Sequence, residues 1–459
     1  MKKFFLIIFL FLSTSNSFPQ NNDSAVIESI YSNALNSYDS YNNLRYLCKN
    51  IGGRICGSKQ AALSVDWVKS ILENYGFDNV RLMELMVRSW SRGEKEIAKL
   101  YFKDGSTENL TVCAIGMSTG TGENGLKRKI IEVNDLGELK NLDKEQIKGK
   151  IIFYNKIAKN KFFNTFDMYG DAVGPRVLGA IEASQYGAIA VIIRSVTLSN
   201  DDYPHTGIMR YVDTLKKIPA FSISTNGADK LSRILSAEPD CEIFLRSTCK
   251  ELPENISHNV IGEIKGRLNP ENIIVVSGHL DSWDTGEGAH DDGAGIMHGI
   301  DVLRIFKSLN IVPNNTIRFV AFMDEEVAQR GGRKYAETVE KTGEKHIIAI
   351  ESDVGGSTPM GFSIYGNDTV IAKINSFKNI FHNYGINYFV KGYSGVDISF
   401  LHKLGIPGIG LIVDSQRYFD YHHSPNDTFE KVNRRELQLG SAAIASLVYL
   451  IDKYGLDLP

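Results

Sequence analysis

Ile273-Ile274-Val275-Val276-Ser277-Gly278-His279-Leu280-Asp281 is the stretch on which the fold turns. Its four consecutive branched apolar residues show no polar alternation, which marks a strand buried on both faces. A strand of that kind belongs to a sheet with helices on either side. The run stops at Gly278, so His279 leaves the sheet at the strand's carboxyl end, where open α/β sheets assemble their active sites. Asp281, two residues on, is placed to accept the imidazole N–H that faces away from a ligand.

Downstream, the same grammar repeats. The spacing predicts a helix over 293–306, strands over 316–323, 347–350 and 409–413, and a closing helix over 442–451. Carboxylates follow the strands directly: Asp324-Glu325-Glu326 after the first, Glu351-Ser352-Asp353 after the second. Between the opening strand and its helix lies Gly288-Ala289-His290-Asp291-Asp292-Gly293-Ala294-Gly295, where small residues let the backbone bend around paired carboxylates. Adjacent carboxylates at a strand end repel one another unless a cation sits between them. One glutamate of the 325–326 pair can then ligate while its neighbour reaches bound water. Tyr421-His422-His423-Ser424-Pro425-Asn426-Asp427-Thr428 is turn-rich, and one of its two histidines can complete the set. Two histidines and three carboxylates at successive strand ends suit two borderline divalent ions with an open water position. Amide hydrolysis by metal-activated water is the chemistry such a set performs. Any single piece reads as a surface pair or a solvated acidic loop; their order along the chain gives them weight.

Upstream the texture changes twice. Apolar spacing predicts helices over 24–50 and 61–75, then short strands over 80–83 and 97–102. From 126 to 248, strands over 151–154, 188–193 and 218–223 alternate with short helices over 177–186 and 227–235, the pattern of a small β-rich module set into a larger domain. At 459 residues the chain is long for one domain. The expected division is 1–17 export signal, 18–125 first part of the catalytic domain, 126–254 inserted module, and 255–459 main catalytic part. The export signal rests on Met1-Lys2-Lys3, a nine-residue apolar run over 4–12 that is too short to span a bilayer, and Ser15-Asn16-Ser17 as the cleavage region. It implies a secreted or periplasmic protein with no membrane span after processing.

A net charge of −3 argues against a nucleic-acid surface. Five cysteines (Cys48, Cys56, Cys113, Cys241, Cys249) are too few for a disulfide scaffold and read as small buried hydrophobes, with a local Cys241–Cys249 bridge left open. His298, His346, His382 and His402 read as packing or surface residues. His290, beside the site, is a candidate substrate contact. No phosphate-binding loop, dinucleotide fingerprint or Gly-x-Ser-x-Gly elbow is present.

At His279-Leu280-Asp281, Gly288-Ala289-x-Asp291-Asp292-x-Ala294-Gly295, Glu325-Glu326, Asp353 and His423-Ser424-x-x-Asp427-Thr428, the sequence resembles the M28 family of zinc peptidases. Pro204-His205-Thr206-Gly207 and Lys217-Ile218-Pro219 add a likeness to the branch that acts on dipeptides or very short peptides. The resemblance implies a mixed-sheet α/β zinc-exopeptidase domain carrying an inserted protease-associated (PA) domain. It selects His423 over His422, because the family's last motif places Asp-Thr four residues after its histidine. It further implies two zinc ions bridged by Asp291, with His279 and Asp353 on one and Glu326 and His423 on the other. Asp281 would orient His279, Glu325 would act as general base, and the Asp291–Asp292 peptide bond would be cis. Relatives form homodimers. Ala328 departs from the glycine common after the glutamate pair. Other readings on the same fold are an aminopeptidase trimming longer peptides, a non-catalytic receptor, and a one-zinc glutaminyl cyclase, the last disfavoured by the inserted module.

Overall fold

The computed structural model describes residues 20–457; the expected export signal over 1–17 lies outside them. Two eight-stranded mixed sheets organise the chain. The first runs in the order Asp78–Ser91, Lys250–Ile264, Asn315–Phe322, Asn269–His279, Lys345–Glu351, Gly408–Val413, Pro359–Tyr365, Tyr388–Lys391. Its centre is parallel, from Asn315–Phe322 through Asn269–His279 and Lys345–Glu351 to Gly408–Val413. Antiparallel pairing on both flanks makes the sheet mixed.

The apolar run over 273–276 explains the layering. Successive side chains of a strand point to opposite faces. Ile274 and Val276 therefore join one core with the helices Ala294–Ser308 and Arg434–Tyr454. Ile273 and Val275 join the opposite core, with Tyr335, Ala336 and Val339 of the helix Arg330–Thr342. Each such side chain, fully buried, contributes about 1.5–3 kcal/mol.

Three predicted elements differ most in extent, among them the closing helix, which runs over Arg434–Tyr454 rather than 442–451. The helix expected over 24–50 is broken into Gln20–Asn36 and Asp39–Tyr46, followed by a wide turn over Leu47–Ile51. Ser37 makes the break, its hydroxyl accepting the Asp39 N–H at 3.1 Å. The strand expected over 80–83 runs from Asp78 to Ser91, because antiparallel pairing with Lys250–Ile264 supplies hydrogen bonds well beyond the apolar stretch.

The second sheet runs Thr107–Leu110, Ile97–Tyr101, Glu242–Arg246, Leu126–Val133, Ile151–Tyr154, Ala190–Arg194, Ala220–Ile223, Val112–Ala114. It begins earlier than Leu126: Ile97–Tyr101 pairs with Glu242–Arg246, and Val112–Ala114 with Ala220–Ile223. The chain leaves the first sheet after Ser91 and re-enters it at Lys250. Alternating side chains again feed two cores, Phe153 and Ile192 on one side, Tyr154 and Ile193 on the other. All five cysteines are buried and free, Cys241 and Cys249 included. Among the described residues no helix is long and apolar enough to cross a membrane.

Candidate metal centre

The parallel strands of the first sheet deliver their loops to one place. His279 is the last residue of its strand, Glu325 and Glu326 follow Asn315–Phe322, and Asp353 follows Lys345–Glu351. Asp291 sits in the turn Ala289–Gly293 that opens the helix Ala294–Ser308, across a cis Asp291–Asp292 bond. His423 (φ 60°) lies just beyond the short helix Tyr418–Tyr421.

These side chains meet. His279 Nε2 stands 3.2 Å from Asp291 Oδ1 and 3.2 Å from Asp353 Oδ1. His423 Nε2 stands 3.2 Å from Asp291 Oδ2 and 3.2 Å from Glu326 Oε2. One carboxylate thus offers its two oxygens to two separate donor sets. His422 stacks on His423 at 3.5 Å between ring centroids, with Nε2 at 3.7 Å from Asp291 Oδ2. Of the two histidines, His423 touches both Asp291 and Glu326.

The donor set fits metal. Asp291 Oδ2 and Glu326 Oε1 are buried without a hydrogen-bond donor, a costly state for a carboxylate unless a cation faces it. Donor atoms sharing one tetrahedral zinc at bonds of ~2.0–2.1 Å stand roughly 3.3 Å apart, close to the observed spacing. Burial, and then repulsion among neighbouring carboxylates, pushes Glu325 and Glu326 above the ordinary range. Burial opposes ionisation of Asp291 as well, yet the imidazoles of His279 and His423 beside it hold it well below that range.

Buried carboxylates hold the ligand loops by their backbone. Asp292 accepts from His279 N and Gly295 N, both at 3.0 Å, and a Cβ at Gly278 would come within 2.5 Å of its Oδ2. Asp427 accepts from His290 N at 2.8 Å and Asp291 N at 3.2 Å. Asp281 differs from its expected geometry. Its carbonyl, not its carboxylate, meets His279 Nδ1 at 3.0 Å, while the nearer carboxylate oxygen stands 3.9 Å away. The carboxylate instead accepts from Glu325 N at 3.1 Å and Glu326 N at 3.3 Å. Those N–H groups leave the strand end without a sheet partner and draw the charge towards them.

Sequence reasoning passed over Arg54. Fully buried, it donates through Nε to the Leu280 carbonyl, through Nη1 to Glu287 at 2.9 Å and through Nη2 to Gly288 at 3.0 Å. Three carbonyls of the loop between His279 and Asp291 are fixed by this one side chain. The second unit of the chain, the second sheet with its connecting helices and loops, also reaches the centre: Thr206 N donates to the His423 carbonyl at 2.8 Å, and His205 Nδ1 to the His422 carbonyl at 2.8 Å. Only the Pro-His-Thr-Gly motif over 204–207 marked these residues in the sequence. His290 does not border the cleft. Its ring stacks on Tyr421 and its Nδ1 accepts the Gly356 N–H at 3.2 Å, away from the cleft.

A cleft of about 620 Å³ opens over the centre, bordered by Glu325, Tyr418 and Phe419 of the first unit and by Tyr169, Arg176 and Met209 from the connections between strands of the second sheet. Its walls mix aromatic faces with charge.

Comparison with known proteins agrees with this geometry. The profile of "Peptidase family M28" matches residues 259–448. Mouse carboxypeptidase Q is 32% identical over 412 residues, covering 90% of this chain and 85% of its own length. A peptidase M28 precursor from Shewanella amazonensis SB2B superposes with a TM-score of 0.90 at 32% identity, covering 96% of this chain and 98% of that one. A zinc aminopeptidase from Bacillus subtilis shares the fold, with a TM-score of 0.63 at 20% identity over 91% of this chain and 97% of its own. With relatives this similar along nearly its whole length, the chain belongs to peptidase family M28.

Proposed function

We propose that this peptidase is an exported di-zinc exopeptidase that hydrolyses dipeptides or short peptides, with Glu325 as its general base. The observation that carries the reading is Asp291, whose two oxygens each stand 3.2 Å from a different imidazole. His279, Asp291 and Asp353 would hold one ion, and Asp291, Glu326 and His423 the other. Bound zinc lowers the pKa of a coordinated water towards neutrality and polarises a carbonyl oxygen. The chain supplies the rest. Glu325, half-buried at the cleft wall beside these ligands, takes the proton of the attacking water and passes it to the leaving amine. Asp281 fixes its backbone.

The second sheet is read as an inserted protease-associated unit whose face narrows the cleft and limits substrate length. The relatives named carboxypeptidase Q support the exopeptidase assignment. Export rests on the basic and apolar opening of the sequence. A non-catalytic receptor on this fold is disfavoured because the full donor set is in place.

Glu325→Gln tests the base. The variant should keep its zinc, by elemental analysis, while kcat on a dipeptide drops about 10²–10⁴-fold. Near wild-type turnover would remove Glu325 from the role. Wild-type protein that shows no chelator-sensitive hydrolysis of any short peptide would return the receptor reading.

A further inference from the structure

Glu325 is placed by its backbone alone. Among the described residues no hydrogen bond reaches its carboxylate, whereas that of Glu326 beside it meets His423 at 3.2 Å. Both stand in the loop from Met323 to Gly331, which passes twice through left-handed backbone, at Asp324 (φ 71°) and Gln329 (φ 57°). Asp281 grips this loop at the N–H groups of 325 and 326. Its two ends are gripped from elsewhere. Asn259, fully buried on the strand Lys250–Ile264, accepts the Met323 N–H through Oδ1 at 3.0 Å and donates through Nδ2 to the Gly331 carbonyl at 3.0 Å. The Gly331 N–H completes the clasp on the Met323 carbonyl at 3.0 Å.

A carboxamide suits this clasp because it carries an acceptor and a donor side by side. The network also fixes which is which: turned over, the amide would set a donor against the Met323 N–H and an acceptor against the Gly331 carbonyl. The strand ladder explains why a side chain is needed. Lys250–Ile264 pairs with Asn315–Phe322 only as far as Val260 and Ala321. Beyond that rung the backbone pairing has ended, and without Asn259 the Met323 N–H would be buried bare. Gly331 makes the closure possible: a Cβ there would run into the Met323 carbonyl and lie 2.6 Å from Asn259 Oδ1. The next residue continues the hold, Gly332 N donating to Asp397 Oδ1 at 3.2 Å.

We propose that Asn259 is a positioning residue for the reaction: by closing the loop from Met323 to Gly331 it holds Glu325 where it meets the attacking water. This rests on the reading of Glu325 as general base and names what places it. The two glutamates do not depend on the clasp equally. Glu326 has His423, and the ion it is proposed to bind, to hold its carboxylate, while Glu325 has only the course of its backbone. Opening the clasp therefore misplaces the base before it loosens the ion, and a displacement of about 1 Å at a reacting group costs on the order of 10²-fold in rate.

The test uses zinc-loaded wild type, Asn259→Ser and Gly331→Ala, which open the same clasp from its two sides, each also in a Glu325→Gln background. Kinetics on the short peptide that wild type hydrolyses fastest are run well below each variant's Tm, with zinc analysis and hydrogen exchange beside them. Both variants should keep their zinc and a KM within about threefold of wild type, while kcat falls about 10–100-fold and the amides over 324–330 exchange faster. A merely stabilising residue would lower Tm and leave the kcat of the folded enzyme unchanged, which would overturn the proposal. In the Glu325→Gln background the same substitutions should change the residual rate by less than about threefold, because no base remains to be placed. An equal fold loss in both backgrounds, or zinc loss in both variants, would overturn it too. If Glu325→Gln alone turns over like wild type, the base reading falls by itself. Loss of kcat with zinc kept and faster exchange over 324–330 would then uphold Asn259 as the residue that places the loop, and unchanged kcat would remove it. A wild type inactive on every short peptide would end both readings.

Discussion

Asp281 shows how much a single carboxylate can be asked to hold. Its side chain takes the N–H groups of Glu325 and Glu326, one the candidate base and the other a candidate metal donor, while its own carbonyl takes the imidazole of His279. Asp281→Asn separates the jobs. An amide offers one acceptor oxygen and a donor group, so one N–H at 325–326 loses its partner. The expected outcome is a kcat lower by about 10–100-fold with zinc retained, because the carbonyl that orients His279 is untouched. Steady-state kinetics beside zinc analysis checks it; zinc loss with unchanged kcat would contradict it. Of the candidate ligands, His279, Glu326 and Asp353 were legible because each lies at or just after the end of an apolar strand, whereas Asp291 and His423 lie in turns and stood out only by their motifs. Asp281's partners were not: two-residue spacing points to His279, whereas the N–H groups that capture the carboxylate lie over forty positions away and become neighbours only through the parallel pairing of their strands. Arg54 was hidden for the same reason. A lone arginine after two glycines reads as surface until its acceptors, more than two hundred residues on, fold around it.

At the level of elements, His298 ties the helix Ala294–Ser308 to the helix Arg434–Tyr454 and to the loop after Lys345–Glu351. Its Nε2–H donates to the Leu437 carbonyl at 3.1 Å, leaving Nδ1 to accept the Ser352 hydroxyl at 2.9 Å. Burial pushes its pKa down to about 4 from an ordinary 6.5. The unfolded chain therefore binds the extra proton first. Stability from this group is complete above pH 6.5 and is lost progressively as pH falls towards 4, by up to about 3 kcal/mol. His298→Gln should lower urea stability at pH 7 yet flatten its decline between pH 6.5 and 4. A slope identical to wild type would show that the proton uptake lies elsewhere. The sequence identified this histidine as a packing residue because it falls inside a helix. Periodicity placed several helices and buried strands, but it merged Gln20–Asn36 with Asp39–Tyr46, missed Arg330–Thr342 and did not set strand ends. Asp78–Ser91 owes its length to its antiparallel partner, which no local pattern reports.

Over the whole molecule, the candidate metal donors come from one unit, while the cleft wall draws on both. Every candidate metal ligand belongs to the first sheet's loops, while the second sheet has its own cores. Chelation should consequently act unevenly. A zinc concentration a thousandfold above Kd stabilises the bound state by about 4 kcal/mol, and its removal leaves the Asp291 and Glu326 oxygens buried and bare. Hydrogen exchange in chelator should rise in the loops around 280–292, 324–328 and 421–428 and stay constant in Ile151–Tyr154 and Ala190–Arg194. A uniform rise would mean that the two units open together. The division itself was only partly legible. A change of texture revealed a second module, but Ile97–Tyr101 and Val112–Ala114 looked like a continuation of the strands before them, because their partners at 242–246 and 220–223 come much later. The clasp of Thr206 and His205 on the carbonyls of His423 and His422 has a bearing on biosynthesis. A ribosome releases the donors more than two hundred residues before the acceptors. The second unit's strands are all synthesised by then, so His423 arrives as the last candidate ligand, onto a surface whose own chain is already complete.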